Sequence, residues 1–174
     1  NESLRFDVVI EDSQGSIWAG SSNGLFKINP VTMSSEYFSH DSKQAVSLSH
    51  PEINVIKEDR NHFMWIGTVG GGINKMIPQN AGFKNLVLSE RKNAGNTGTY
   101  IMAMQQSGNN VWFVNIWDQL GKADIQTGKI TLLTKPVLPS SYSWYSEGSI
   151  MKNQFGNPVI LNGENSYEVI DKSP

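Results

Sequence analysis

The sequence contains no cysteine among its 174 residues. Disulfide bonds and thiolate metal sites are therefore excluded, but no cellular compartment follows, since many exported bacterial proteins also lack cysteine. Positive charge is not in excess either: 14 lysine and arginine residues are scattered against 16 acidic residues, and the net charge is −2. Because a nucleic-acid-binding surface needs clustered positive charge, this balance predicts no nucleic acid partner.

Long hydrophobic runs are also missing. No apolar stretch approaches the roughly 18 residues that span a bilayer, and no signal-peptide pattern precedes the first predicted strand. We therefore expect no direct membrane contact in this segment. The chain begins with Asn1 rather than methionine, so we expect a processed protein or a part of a longer one, with any targeting or anchoring segment outside it.

Motifs for metals, nucleotides and acid–base catalysis are absent from the sequence. His40, Asp41 and His50 share one predicted loop without H-x-x-x-H spacing, so no metal site is expected. The glycine run at 70–72 is not followed by the lysine of a phosphate-binding loop. Neighbours such as Glu11 and Asp12 point to opposite faces of a strand and cannot act as an acid–base pair. We expect no cofactor and no catalytic residue.

What the sequence does contain is a repeat of 47 residues. The string VIEDSQGSIWAGSSNGLFKINP, which ends at Pro30, aligns with VIKEDRNHFMWIGTVGGGINKMIP, which ends at Pro78. The next step in phase reaches Trp112, and one more reaches Val159. Four copies fit, with the motif decayed in the last two. A fixed period of this length is typical of repeat architectures, in which each unit buries its apolar face against its neighbours.

Each copy is predicted to form four short strands. In the first copy, Phe6, Val8 and Ile10 alternate with polar residues and indicate the first strand; the others are expected at Ile17–Ser21, Leu25–Asn29 and Glu36–Phe38. Between the first two strands, D-S-Q-G predicts a tight turn, in which Asp12 bonds the backbone two residues on and Gly15 adopts a positive φ. The equivalents of Asp12 are Asp59, Gln106 and Asn153, and those of Gly15 are His62, Asn109 and Gly156.

Repeated four-stranded units, each marked by a tryptophan in phase, predict an all-β fold, namely a β-propeller. We expect an arc of about four antiparallel blades, at residues 4–38, 51–88, 98–134 and 147–174, with the tryptophans packed between blades. A solenoid of β-hairpins is the alternative. The residues assigned to turns and blade packing are Asp12, Gly15, Trp18, Asp59, Trp65, Gly67 and Trp112.

These strings, with SLSHPEI leading into the second, resemble the two-component regulator propeller repeat, whose pattern is roughly I-x-E-D-x-x-G-x-[IL]-W-I-G-T, then G-G-L. Residues 4–88 follow the pattern closely, whereas residues 98–174 keep only its spacing. The resemblance implies the periplasmic sensor region of a hybrid two-component histidine kinase of the Bacteroides type. Such sensors carry two seven-bladed propellers and typically sense oligosaccharides released from polysaccharides, so this chain would be an incomplete part of a larger propeller, with the kinase outside it.

The expected ligand face carries the connections between second and third strands together with the loops between blades. There, N-I-W-D replaces the family's glycine run, and the last loop between blades holds further aromatic residues. Flat aromatic rings beside carboxylates and amides suit the recognition of sugars. The candidate ligand-binding residues are Asn115, Trp117, Asp118, Trp144 and Tyr145. Alternatively, these aromatic side chains cover blade edges or bury the surface of a partner.

Other functional classes stay open at this point. A propeller glycosidase or lyase would need convergent acids on the loop face, where the sequence offers Asp41, Asp118, Glu147 and Glu164. An interaction scaffold would bind a partner protein at its blade faces and would not respond to saccharides. Because an incomplete ring exposes apolar blade faces to water, we expect either self-association through the terminal blades or packing against the remaining blades of the same sensor.

Overall fold

The computed structural model describes residues 4–77, 82–86, 99–115, 120–133, 149–152, 154, 158–162 and 165–168. Within these ranges the chain forms strands and turns without a helix, so no described helix is long or apolar enough to cross a membrane. The strands are β1 (Phe6–Glu11), β2 (Ile17–Ser21), β3 (Leu25–Ile28), β4 (Ser35–Phe38), β5 (Ile53–Glu58), β6 (Met64–Gly70), β7 (Ile73–Ile77), β8 (Gly82–Leu86), β9 (Thr99–Ser107), β10 (Asn110–Asn115), β11 (Leu120–Asp124), β12 (Ile130–Leu132), β13 (Ser149–Lys152), β14 (Pro158–Asn162) and β15 (Asn165–Glu168). They fall into two compact units, Asn1–Ile101 and Met102–Pro174.

The first sheet of the first unit is an antiparallel meander in the order β1-β2-β3-β4. Its strands confirm the four predicted for the first copy, with boundaries that differ by at most one residue. The third strand ends at Ile28 because Asn29 starts the next turn: its Oδ1 accepts hydrogen bonds from the amides of Val31, at 2.9 Å, and Thr32, at 3.1 Å. A side chain that bonds its own backbone in this way competes with strand pairing.

The second sheet repeats the same connectivity. Strand β5 pairs with β6, β6 with β7, and β7 with β8, all antiparallel. The end of β6 also pairs with the start of β9, where Val69 lies opposite Tyr100 and Gly70 opposite Thr99. Successive copies in the first unit therefore make the four-stranded sheets that characterise propeller blades.

The core of the first unit lies between these two sheets. Trp18 and Leu25 from the first sheet pack with Ile53, Ile56 and Ile66 from the second. Trp18 is only 2% exposed, and Leu25, Ile53 and Ile66 are fully buried. Burial of each such side chain contributes about 1.5–3 kcal/mol. The prediction that Trp18 packs between blades is confirmed, and Trp65 is likewise fully buried.

Glycine in the W-x-G motif allows the first strand of the next copy to approach closely. A Cβ added to Gly20 would lie 2.6 Å from Ile53 Cγ2, and one added to Gly67 would lie 2.8 Å from Ile101 Cγ2. Real side chains essentially never come that close, so the inter-sheet packing of the first two copies requires glycine. In the third copy Val114 occupies this position and packs with Trp112.

The second unit contains the continuation of β9 and the sheets built from β10–β12 and β13–β15. Trp112 is buried with Val114, Leu120 and Ile150, so the third tryptophan also packs against the copy that follows it. One turn prediction is wrong here. The residue with positive φ is Gly108, at 56°, and not Asn109, because β9 and β10 are joined by only two residues and the first of them makes the left-handed bend.

The face of the first sheet that points away from the second is apolar, and Val9 and Tyr37 on it are exposed. Val9, Ala19, Phe26 and Tyr37 lie opposite one another in a row across β1–β4, and the Phe26 and Tyr37 rings are 4.7 Å apart. Val9 is 59% exposed, whereas Ile56, its equivalent in the second copy, is 3% exposed. In the second sheet, the equivalent face is the one that packs against the first sheet.

Candidate functional site

The D-x-x-G turn of the first copy is held by one carboxylate. Asp12 Oδ1 accepts hydrogen bonds from the amides of Gln14, at 2.9 Å, and Ser16, at 2.8 Å, while Oδ2 accepts one from Trp18 Nε1 at 2.7 Å. The bond to the amide two residues on confirms the predicted turn, and Gly15 has a φ of 81°. The same carboxylate therefore fixes both the turn and the tryptophan that packs between blades.

The second copy repeats this arrangement bond for bond. Asp59 Oδ1 accepts hydrogen bonds from the amides of Asn61, at 2.8 Å, and Phe63, at 3.1 Å, and Oδ2 accepts one from Trp65 Nε1 at 2.7 Å. His62 takes the left-handed position with a φ of 64°. Asp59 is 3% exposed, so these bonds also satisfy a carboxylate that water does not reach.

The electrostatics of the first turn keep its carboxylate ionised. Burial raises the pKa of Asp12, but the hydrogen bonds from Trp18, Ser16 and Gln14, together with the nearby charge of Lys27, outweigh burial and leave the pKa below its ordinary value. Hydrogen bonds donated to a carboxylate favour its charged form. Asp12 is thus an acceptor in the turn and is not suited to donate a proton near neutral pH.

In the first three copies a lysine faces the in-phase tryptophan across the strand pair, a feature that was not predicted from the sequence. Lys27 lies directly opposite Trp18, Lys75 opposite Trp65 and Lys122 opposite Trp112. The ammonium nitrogens lie 5.4, 5.2 and 5.5 Å from the indole rings, within cation–π range. The available signal was a lysine nine or ten residues after Trp18, Trp65 and Trp112, and the third copy keeps it although it has lost the aspartate.

A small pocket opens between the turns of the first two copies. It has a volume of about 110 Å³ and is lined by Asp12, Gln14, Trp18, Lys27, Glu58, His62, Met64 and Met76. At its edge, Ser13 Oγ lies 2.6 Å from Glu58 Oε1 and 2.7 Å from His62 Nδ1. The Ser13 amide also donates to Glu58 Oε2 at 2.8 Å. These bonds join the two turns.

The serine, histidine and glutamate at this edge do not form a catalytic triad. Glu58 Oε1 contacts His62 Nδ1, at 3.0 Å, which is the same ring nitrogen that contacts Ser13. In a triad, the acid binds the opposite nitrogen and thereby orients the ring toward the nucleophile. Burial raises the pKa of Glu58, but hydrogen bonds from Ser13 and His62 outweigh burial and lower the pKa overall. The cluster is a hydrogen-bonded contact between blades.

Of the five candidate ligand-binding residues, only Asn115 falls within the described part of the chain. It is 2% exposed and occupies the position of Ser21 and Thr68. In those copies the hydroxyl donates to the carbonyl of the following turn, Ser21 to Gly24 at 2.8 Å and Thr68 to Gly72 at 3.0 Å. Trp117, Asp118, Trp144 and Tyr145 lie outside the described residues. Ligand binding by these five residues stays a prediction.

The loop between the first two blades is fixed by its S-L-S segment. Leu48 is fully buried in the core between the sheets. Ser49 donates its amide to Asn74 Oδ1 at 2.9 Å, and Asn74 Nδ2 donates to Ser49 Oγ at 2.9 Å. His40 Nδ1 lies 2.6 Å from the Leu48 carbonyl, and among the described residues no three potential ligands are grouped to hold a metal ion. His40 therefore takes part in the structure of this loop.

Part of the sequence matches a known protein family. Residues 47–70, which include the S-L-S segment and the second turn, match the family described as Two component regulator propeller. No curated protein matches the sequence.

Solved structures share the fold at low sequence identity. The extracellular domain of BT4673 from Bacteroides thetaiotaomicron, described as a hybrid two-component system, superposes with a TM-score of 0.69 and 18% identity over 91% of this chain and 20% of that one. The corresponding domain of BT3049 gives 0.63 and 18% over 96% and 28%. The Cps50 (Swd1) β-propeller domain from Myceliophteria thermophila gives 0.60 and 13% over 96% and 55%.

The chain spans only 20% and 28% of the two Bacteroides domains. Its antiparallel four-stranded sheets, buried tryptophans and structural likeness agree on the architecture. The protein has a β-propeller fold, similar to the extracellular domains of hybrid two-component systems, and residues 47–70 match the two-component regulator propeller family.

Proposed function

We propose that this chain is part of the extracytoplasmic, periplasmic sensor region of a hybrid two-component signalling protein, and that the sensor detects oligosaccharides derived from polysaccharides. The observation that carries the proposal is the match of residues 47–70 to the two-component regulator propeller family. The kinase, the phosphorelay and transcriptional regulation belong to segments outside this sequence, and the segment itself binds without catalysing a reaction.

The use of the acidic residues supports binding over catalysis. Asp12 and Asp59 each accept hydrogen bonds from two turn amides and an indole, and Glu58 accepts hydrogen bonds from the neighbouring turn. A glycosidase requires two carboxyl groups that face each other across a substrate. These carboxylates are instead committed to folding the repeat, which leaves the loops of the opposite face for ligand recognition.

Signalling would follow from a change in the relative orientation of two sensor chains. A ligand biases such an equilibrium only by the difference between its affinities for the two arrangements. A ligand site at the propeller face can have different affinities in the two arrangements if its loops come from more than one chain or blade. The change would then pass through the membrane to the kinase.

A thermal-shift screen tests the sensing of oligosaccharides. One class of polysaccharide-derived oligomers is expected to raise Tm by about 5–10 °C at a hundredfold excess over Kd, because a ligand that binds only the folded state stabilises it by about 2.7 kcal/mol under these conditions. Trp117→Ala is expected to abolish the shift. Tyr37→Ala, which removes an aromatic ring from the exposed blade face, serves as the control and should retain it. A screen without any stabilising saccharide contradicts the proposal.

The exposed apolar face of the first sheet supports a second part of the proposal, that this face packs against another blade, either of the same sensor or of a second copy. Light scattering of the isolated chain is expected to show association that increases with concentration. Val9→Glu places a charge on this face, at its most exposed residue in the row across the sheet, and should shift the chain toward the monomer, whereas Glu36→Gln should not. A wild-type chain that stays monomeric at high concentration contradicts this packing. Association without any saccharide response would instead favour an interaction scaffold.

A further inference from the structure

One position stands at the start of the first strand in three successive copies and carries a different side chain in each. The Arg5 carbonyl accepts a hydrogen bond from the Ser22 amide, and the Glu52 carbonyl accepts one from the Val69 amide, both at 3.0 Å. In the third copy this position is Tyr100, because Ile101 approaches Gly67 just as Ile53 approaches Gly20. Arg5, Glu52 and Tyr100 therefore stand at equivalent places at the start of β1, β5 and β9.

The scaffold of the repeat keeps its residue types from copy to copy. The tryptophan and its facing lysine occur in all three copies, and the aspartate and the close-approach glycine occur in the first two. In contrast, the position of Arg5, Glu52 and Tyr100 presents a guanidinium, a carboxylate and a phenol. Since the Arg5 and Glu52 carbonyls accept the same backbone bond with opposite side-chain charges, this bond does not depend on the side chain, and we take the side chains at this position as available for recognition.

The start of these strands lies at the face that carries the connections between second and third strands, and Arg5 and Glu52 are in contact there. Arg5 Nη2 lies 3.2 Å from Glu52 Oε1, and Arg5 Nε lies 2.8 Å from Asp7 Oδ1. The Tyr100 hydroxyl donates to Asn54 Oδ1 at 3.4 Å. Burial raises the pKa of Tyr100, and the carboxylates of Glu52 and Asp7 raise it further against the opposing effect of Arg5. Val69 connects the phenol to the ion pairs, because its amide donates to the Glu52 carbonyl and it lies opposite Tyr100 in the strand pair.

The cluster is accessible from solvent but partly shielded. The side chains of Arg5, Asp7 and Glu52 are 66%, 27% and 33% exposed, and Tyr100 is half-buried. Glu52 Oε2 accepts no hydrogen bond from the described residues, and His50 Nδ1 accepts the Glu52 amide. Donors, acceptors and one aromatic ring therefore converge within a single patch.

We propose that Arg5, Glu52 and Tyr100, together with Asp7, form a subsite for a neutral oligosaccharide. This inference rests on the proposed sensing function and narrows its ligand class. Sugar hydroxyls both donate and accept hydrogen bonds, so they match carboxylates beside a guanidinium and a phenol, and the ring of Tyr100 offers an apolar face for a pyranose or furanose ring. Two carboxylates around one guanidinium leave a net negative charge, which disfavours uronic acids and sulfated sugars.

Calorimetric titration of the whole chain tests the subsite. The probes are maltohexaose, xylohexaose, arabinohexaose and mannohexaose as neutral oligosaccharides, and trigalacturonic acid as the anionic one. A neutral probe is expected to bind, and the anionic probe is not. Glu52→Gln, which keeps the shape of the side chain, should weaken binding by about tenfold because a charge-assisted hydrogen bond is lost. Glu36→Gln, on the outer strand β4, is the matched control and should change affinity less than about twofold.

The outcomes separate this inference from the function on which it rests. Binding of a neutral probe that Glu52→Gln leaves unchanged overturns the subsite while the sensing function stands. Binding of the anionic probe alone overturns the neutral ligand class. If no probe binds the wild-type chain, the sensing function and the subsite both fail. The Tm of unliganded Glu52→Gln, expected to equal that of the wild type, shows that a loss of binding is not a loss of folding.

Discussion

Asp59→Ala is expected to lower the free energy of unfolding by about 3–5 kcal/mol, since it leaves two amides and a buried indole N–H without their acceptor. All three donors bind this one carboxylate, which is nearly inaccessible to water. Asp12→Ala removes the same three bonds from a turn that water can reach, and we expect about half the loss. Urea unfolding followed by tryptophan fluorescence measures both variants.

Asp59→Asn provides the isosteric control for this comparison. The amide can keep its oxygen toward the two turn amides, but it then places an NH₂ group against the indole N–H of Trp65. An intermediate loss of stability is expected. If Asp59→Ala and Asp12→Ala cost the same, within about 0.5 kcal/mol, burial does not determine how much this carboxylate stabilises the fold.

Gly67→Val is expected to destabilise the fold by about 3 kcal/mol, at the upper end of the cost of overpacking. The added Cβ would lie 2.6 Å from Val55 Cγ1 and 2.8 Å from Ile101 Cγ2, so the first strand of the following copy must move away. Both contacts are methyl groups on β-branched side chains, which are stiff at χ1 and cannot give way as the end of a long flexible side chain can. The midpoint of urea unfolding measures the loss.

Gly108→Ala is the matched glycine variant for this experiment. A Cβ at Gly108 meets no atom within 4 Å, although the residue has a φ of 56°, so only the left-handed backbone contributes, at about 1 kcal/mol. A Gly67→Val variant as stable as Gly108→Ala would show that the sheets do not need this close approach. The comparison is informative because the third copy has Val114 at the position of Gly67. A valine that fits in the third copy should therefore destabilise the second.

The sequence was sufficient for the period of the repeat and for the local structure of its first copy. Alternating residues in β1 and the D-x-x-G turn are local signals, and they predicted the strands within one residue and the left-handed positions Gly15 and His62. The constant spacing of the tryptophans also predicted that Trp18 lies between sheets, because residues at equivalent positions of a repeat contact equivalent neighbours.

Features that depend on strand register were not visible in the sequence. The facing of Trp18 and Lys27 follows from how β2 pairs with β3, and a one-residue shift would have placed them on opposite faces. In the third copy, the two-residue link between β9 and β10 moved the left-handed bend to Gly108. The spacing also changes there, since Ile53 and Ile101 are equivalent at an interval of 48 residues, and the weaker motif concealed this shift.

The buried position of Leu48 and the bonds between Ser49 and Asn74 have a consequence for where the protein can be divided. In the connecting segment before β5, Leu48 fills the core between the sheets and Ser49 binds Asn74 on β7. The segment therefore belongs to the blade that follows it. The indivisible module is then a linker with the four strands after it. A fragment that starts after Phe38 keeps this linker with the second blade. A fragment that starts at Ile53 lacks the linker, and with it the buried Leu48 side chain.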